Sequence, residues 1–416
     1  MTQRERILKA LRAEPVDRLP WVPRLDLWYN SHRYCGTLPA QWRDASLLDI
    51  VADLGVGFHA VTPHFMDTDD PDEACDRALG LDHVKNQPYL LRFRRTQRIV
   101  QRDGDRTRVI YRHPRGELSA VLRHDEAMRR AGITLQHVQE PVVKSVADYP
   151  VLAAIFEDLV VESDQSRYRQ HRAQIGEAGV AVALATVAAS PVHHLLKEVV
   201  PYDRLYFDLY DHPGVIADTA QAMAPFQEQV IAACAASDAE VVLYGANYDL
   251  MVTPPPFFEQ HLAPWLKRAA DRLHETGKLL LTHADGENLQ LNHFYVECGV
   301  DVADSVCPAP MTKLTLADYR RDFGTRPAIW GGLCSVCVLP ESMTDAQFEA
   351  HVDDAITAVG EGRGIVFSLA DTTPPAASIT RAPAGTETLA PTAAILPSLR
   401  RNTSATKRPY SLPASA

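Results

Sequence analysis

Short, nearly unbroken apolar runs separated by helical periodicities dominate the chain from about residue 180 onward. They are VAVALATV (180–187), EVVLYGA (240–246), KLLLTH (278–283), DVADSV (301–306), AIWGGL (328–333) and GIVFSL (364–369), with GVGFHAVT (55–62) as an earlier member. A strand with one wet face alternates apolar and polar residues. A run without alternation fits a strand buried on both faces, as in a parallel sheet. The segments between read as helices; FEQHLAPWLKRAADRLHETG, for example, ends in a glycine suited to a helix C-terminus. At least seven strand–helix units predict an α/β fold of the closed (β/α)8 TIM-barrel type rather than a doubly wound sheet. No G-x-G-x-x-G opens a helix after a strand, which counts against a dinucleotide fold.

Ahead of these runs, Thr2 is placed to cap an amphipathic helix that Pro15 stops, with Ile7, Leu8 and Leu11 on one face. WVPRLDLWYNSHRYCGTLP mixes aromatics, prolines and charges and reads as a shaped loop. YLLRFRR and RTRVIYRHP alternate, predicting antiparallel strands in an N-terminal β-rich insertion, and GELSAVLRH extends the same small sheet. The barrel domain is expected over 1–375. Residues 376–416 form an atypical tail, expected to be poorly ordered because Pro383, Pro391 and Pro397 break any long helix.

Composition narrows the partners. Of 416 residues, 53 are acidic and 42 basic, a formal net charge of −11. This argues against nucleic acid or an anionic membrane as the main partner. No apolar run approaches the roughly 20 residues that span a bilayer, and MTQRERILKALRAEP is charged where a signal peptide is apolar. Seven cysteines are odd in number and thinly spread, so no disulfide framework is expected and the reading is cytoplasmic. Cys334-Ser-Val-Cys337 has C-x-x-C spacing without a second such pair and reads as two thiols packed near a strand end.

Barrel enzymes place reactive groups at strand C-termini. Those ends carry Asn247 and Asp249; His283, Asp285 and Glu287; Asp304 and Cys307; Cys334; and Asp371. His283 and Asp285, two residues apart beyond a strand, can share an ion or a proton. Asp371 or Cys334 would complete a zinc-like site with an open position. Asn247 and Asp249 also suit a local turn. His193-His194 opens a helix, where neighbours point about 100° apart, and is read as a capping or surface pair. Arg24, Asp26 and Arg33 in the early loop either grip an anion or stay solvated.

RERILKALRAEPVDRLP resembles the opening signature RERxxxALxGExxDRxP of the uroporphyrinogen decarboxylase superfamily. YDRLYFDLYDHPGVI, THADGENLQLNHFYVECGVDVADSV, IWGGLCSVCVLPESMT and GIVFSLADTTPP extend the resemblance over residues 1 to about 375. It implies a barrel running either porphyrinogen decarboxylation or corrinoid-linked methyl transfer. The decarboxylases' arginine-rich RQAGR loop is PRLDLWYN here, and their early aspartate after Phe-Ser meets Phe58-His59-Ala60. Their tyrosine is missing from ASPVHHLLKEVV, and their late histidine matches Asp371. Compared with the methyltransferases, His283 matches the first zinc ligand, while Asp285 and Asp371 replace two cysteines.

The resemblance therefore implies a cobalamin (corrinoid)-dependent methyltransferase acting on a small O-methylated substrate. His283, Asp285 and Asp371 would hold a divalent metal, zinc by analogy, and Asn247, Asp249 and Glu287 would act as catalytic groups. A metal-free His/Asp acid–base pair would use the same residues. Lacking a D-x-H-x-x-G motif, the chain would take its corrinoid free or from a separate protein. The expected partners are a small-molecule methyl donor and a corrinoid protein, with a homodimer left open. One alternative is a decarboxylase of uroporphyrinogen or another small acid, using Arg24 and Arg33. Another is a non-catalytic barrel acting as a binding partner.

Overall fold

A computed structural model describes residues 1–377; the expected tail at 378–416 lies outside the described residues. The N-terminal half carries two antiparallel sheets. In the first, β1 (Tyr89–Phe93) pairs with β6 (Leu159–Ser163). In the second, β2 (Gln97–Asp103), β3 (Arg106–His113), β4 (Gly116–Arg123) and β5 (His137–Glu140) form a meander in sequence order. The expected sheet is thus corrected: YLLRFRR leaves the meander because its partner lies some seventy residues on, with Leu91 opposite Val161. The early loop is also corrected. Asp26–Cys35 is a helix that Gly36 ends in the left-handed conformation (φ 67°), and Trp28 and Tyr29 pack with Trp42 and Ile50 in a small satellite core.

The main sheet has six parallel strands: β7 (Ala183–Thr186), β8 (Val241–Ala246), β9 (Leu279–His283), β10 (Val302–Val306), β11 (Ala328–Cys334) and β12 (Ile365–Ala370). They are hydrogen-bonded in sequence order from β7 to β12. Each corresponds to one of the apolar runs. Successive side chains enter two different cores. Leu184, Leu243, Leu281, Val302, Trp330 and Val366 join Ile7, Leu8 and Leu11 of the opening helix in one cluster. Ala183, Val242, Leu280, Ala303, Ile329 and Ile365 join the helices in the other. Burial on both faces is the reason the runs lack alternation.

Short backbone contacts flank this sheet. Val22 donates its N–H to the Phe367 carbonyl (2.8 Å), and Phe367 donates to that of Pro20 (2.9 Å). Gly57 donates to the Trp21 carbonyl (2.9 Å). On the far edge, Phe58 donates to Ala178 (2.8 Å) and Val182 to Ala60 (3.2 Å). GVGFHAVT forms a single parallel bridge, Phe58 to Gly179. The opening helix is Gln3–Leu11, started by a capping box in which Thr2 and Glu5 satisfy each other's backbone amides. Among the described residues no helix is long and apolar enough to cross a membrane.

Candidate functional site

His283 ends β9, Asp304 lies in β10 beside it in register, and Asp371 directly follows β12. A carboxylate oxygen of Asp285, one of Asp371 and a ring nitrogen of His283 all lie within 4.8 Å of one another. His283 is held from both sides. Its Nδ1 is 2.6 Å from Asp304 Oδ2, and its Nε2 is 3.3 Å from Asp371 Oδ1. Burial works against the imidazolium, but these two carboxylates outweigh it and lift the pKa to about 10. Asp304 is fully buried; despite that, His283 and His59, whose Nε2 is 3.6 Å away, hold its carboxyl well below the usual range.

Arg24 completes the charge pattern. Its guanidinium pairs with Asp371 Oδ1 and, at 3.2 Å, with Asp26. Against burial, Arg24 and His283 keep the Asp371 carboxyl low, and Ser305 donates a further bond to it at 3.3 Å. Asp285 moves the other way: burial, then the charge of Asp371, push its carboxyl up. The Asn247 amide donates to Asp285 at 3.4 Å. Asp371 leaves 36% of its side chain exposed, so the cluster is open to solvent at the strand C-termini. A shallow surface hollow lined by Phe65, Glu73, Arg77 and His83 shares no residue with this cluster.

The other candidates separate. Asp249 accepts from the backbone N–H groups of Met251 (2.8 Å) and Glu287 (3.0 Å). Glu287 accepts from those of Leu289 (3.0 Å) and Lys313 (2.9 Å). Asp249 thus ties the loop after β8 to the loop after β9, and Glu287 ties the loop after β9 to the loop after β10. Arg33 lies over the Tyr29 ring, 5.7 Å from its centroid, and is exposed. The surface reading of His193-His194 is corrected. Both are about 1% exposed; His193 stacks on Tyr248, and His194 meets the Leu79 carbonyl at 2.7 Å and the edge of Phe156. They follow a buried strand end, so each points into packed side chains. Asp304 as the partner of His283, and Arg24 as that of Asp371, become visible only when the strand register brings distant positions together.

Cys334 and Cys337 lie at the end of β11, both fully buried, and His351 joins them from the helix Asp345–Val359. The seven cysteines form no disulfide.

A family model described as uroporphyrinogen decarboxylase (URO-D) matches residues 146–389. Among solved structures, the chain is similar to a methyltransferase from Methanosarcina mazei at 13% identity, covering 92% of this chain and 96% of that one with a TM-score of 0.46. No curated protein matches it. With more than half of its residues inside the family match, the chain belongs to the uroporphyrinogen decarboxylase family.

Proposed function

We propose that this family member is a methyltransferase for a small O-methylated donor, with a corrinoid carried by a separate protein as acceptor. We also propose that the segments at 20–22 and 57–61 close the six strands into a (β/α)8 barrel. The backbone bonds from β12 to 20–22, from 57 to 21, and from 58–60 to 178–182 support closure. One observation carries the functional reading: Asp304 fixes Nδ1 of His283, which turns Nε2 toward Asp371 and Asp285. A carboxylate on the far ring nitrogen is how metal-ligating histidines are commonly oriented.

The residues fit a divalent metal. Three donors sit within 4.8 Å of one another, and Asp285 and Asp371 repel in a way that a cation relieves. One nitrogen and two carboxylates suit zinc while being harder than a thiolate set, in keeping with an oxygen-bearing donor. Such a metal supplies Lewis-acid polarisation of the methyl-bearing oxygen. The protein's own groups do the positioning. Asp304 orients the His283 ring through Nδ1, Arg24 and Ser305 hold Asp371 through Oδ1 and leave Oδ2 for a ligand, and Asn247 orients Asp285 or the donor. Asp249 and Glu287 shape the loops that carry these groups.

The test is methyl transfer from a methoxylated compound to reduced cobalamin, using zinc-loaded full-length protein. Transfer is expected with the unmodified chain, and Asp285→Ala should lose transfer together with the metal held at His283 and Asp371; Asp304→Asn should weaken metal binding at that cluster about ten- to hundredfold. Arg24 favours a second reading, decarboxylation of a porphyrinogen or another small acid, because a buried guanidinium suits a substrate carboxylate. Its charge is already matched by Asp26 and Asp371, so no turnover of uroporphyrinogen is expected. Coproporphyrinogen formation by the metal-free protein would overturn the first reading in favour of the second.

A further inference from the structure

A second cluster with metal-ligand chemistry lies at the same end of the sheet, and the proposed reaction makes no use of it. Cys334 is the last residue of β11, and the 3-10 turn Ser335–Val338 carries Cys337. Fourteen residues beyond Cys337, His351 sits in the second turn of the helix Asp345–Val359, which packs beside β11. The two Sγ atoms and a ring nitrogen of His351 lie within 4.8 Å of one another. Both thiols are at 0% exposure. Nε2 of His351 is shut off from solvent and makes no conventional hydrogen bond. The imidazole and the Cys334 thiol interact directly, so the ring and the two thiols face one another around one point.

We propose that Cys334, Cys337 and His351 form a zinc site that clamps the end of β11 to the helix Asp345–Val359. The C-x2-C spacing is that of a zinc-ligand pair, and two thiolates with one imidazole select a soft or borderline ion over magnesium or calcium. Ligand atoms within 4.8 Å of one another are compatible with a centre at Zn–S of about 2.3 Å and Zn–N of about 2.0 Å after small side-chain movements. Binding releases the two thiol protons. The clamp acts close to the first cluster: Cys334 is paired in register with Ala370, the residue before Asp371. The assignment is independent of the methyltransferase reading, because it uses none of the same side chains.

Cobalt substitution separates the two clusters, because only sulfur ligands give a near-ultraviolet thiolate-to-cobalt charge-transfer band. Chelator-stripped full-length protein is titrated with Co2+. The band is expected in the unmodified chain at about one equivalent and at undiminished intensity in Asp285→Ala. It should lose about half its intensity in Cys337→Ser and disappear in the double variant Cys334→Ser/Cys337→Ser, while His351→Gln should weaken cobalt binding about tenfold or more. The first two measurements stand whether or not the cysteine variants fold. Absence of the band from the unmodified chain, its loss in Asp285→Ala, its survival in the double cysteine variant, or a Cys334–Cys337 disulfide in freshly purified protein would each overturn the proposal.

Discussion

Single carboxylates illustrate how burial and partners compete in this protein. Asp158 is fully covered, and burial alone would raise its pKa, yet it accepts from the Arg95 and Thr96 N–H groups at 2.8 and 2.7 Å and from the Thr96 hydroxyl at 2.8 Å. Those bonds, with the Arg95 side chain, bring it down to about 2 from the ordinary 3.8. A carboxyl depressed in the folded state contributes stability that is fully present above the unfolded value. That stability is lost as pH falls through the folded one. The window is therefore about pH 4 to 2. Asp158→Asn should lower stability near neutrality by about 2 kcal/mol or less and flatten the acid limb across that window in denaturant titrations.

At the scale of elements, the loop after β9 shows how sequence becomes a site. Gly286 has φ of 126°, and a Cβ there would collide with the Tyr248 carbonyl oxygen. This close approach sets the loop carrying Asp285 against the loop carrying Asn247 and Asp249. Gly286→Ala should cost about 1–3 kcal/mol and reduce metal binding at His283 and Asp285, measured by thermal melting and by metal titration. The six parallel strands were legible in the sequence because two-sided burial removes alternation. The β1–β6 pairing was not, because each strand is short and the register is set by packing across some seventy residues. His283, Asp285 and Asp371 stand out as residues beyond strand ends. Asp304, expected at a strand end, lies in the middle of β10, and its task of holding His283 depends on the β9–β10 register. His351 carries no signal, because nothing in C-x2-C spacing says which helix will supply a third ligand.

Across the whole molecule, the opening helix matters more than its length suggests. Ile7 and Leu11 are fully buried and share one core with Leu184, Leu243, Leu281, Trp330 and Val366, so the helix seals a core to which most of the parallel strands contribute. Leu11→Ala removes apolar volume from that shared core. It should cost about 2–5 kcal/mol, read as a shift of the entire unfolding transition rather than as local fraying. A separate early, low-amplitude transition would mean that the helix docks as an independent unit.

That seat also sets an order of events during synthesis. Its lining includes Val366, and the segment at 20–22 finds its backbone partners at Phe367. The segment at 20–22 therefore acquires these neighbours only after β12, the last described strand, has left the ribosome. Until then the nascent chain presents the bare edge of β11 and an unfilled apolar floor, the kinds of surface that pair promiscuously with other chains. A chain stopped before β12 should therefore aggregate more readily than one that carries it, which light scattering of the two would show.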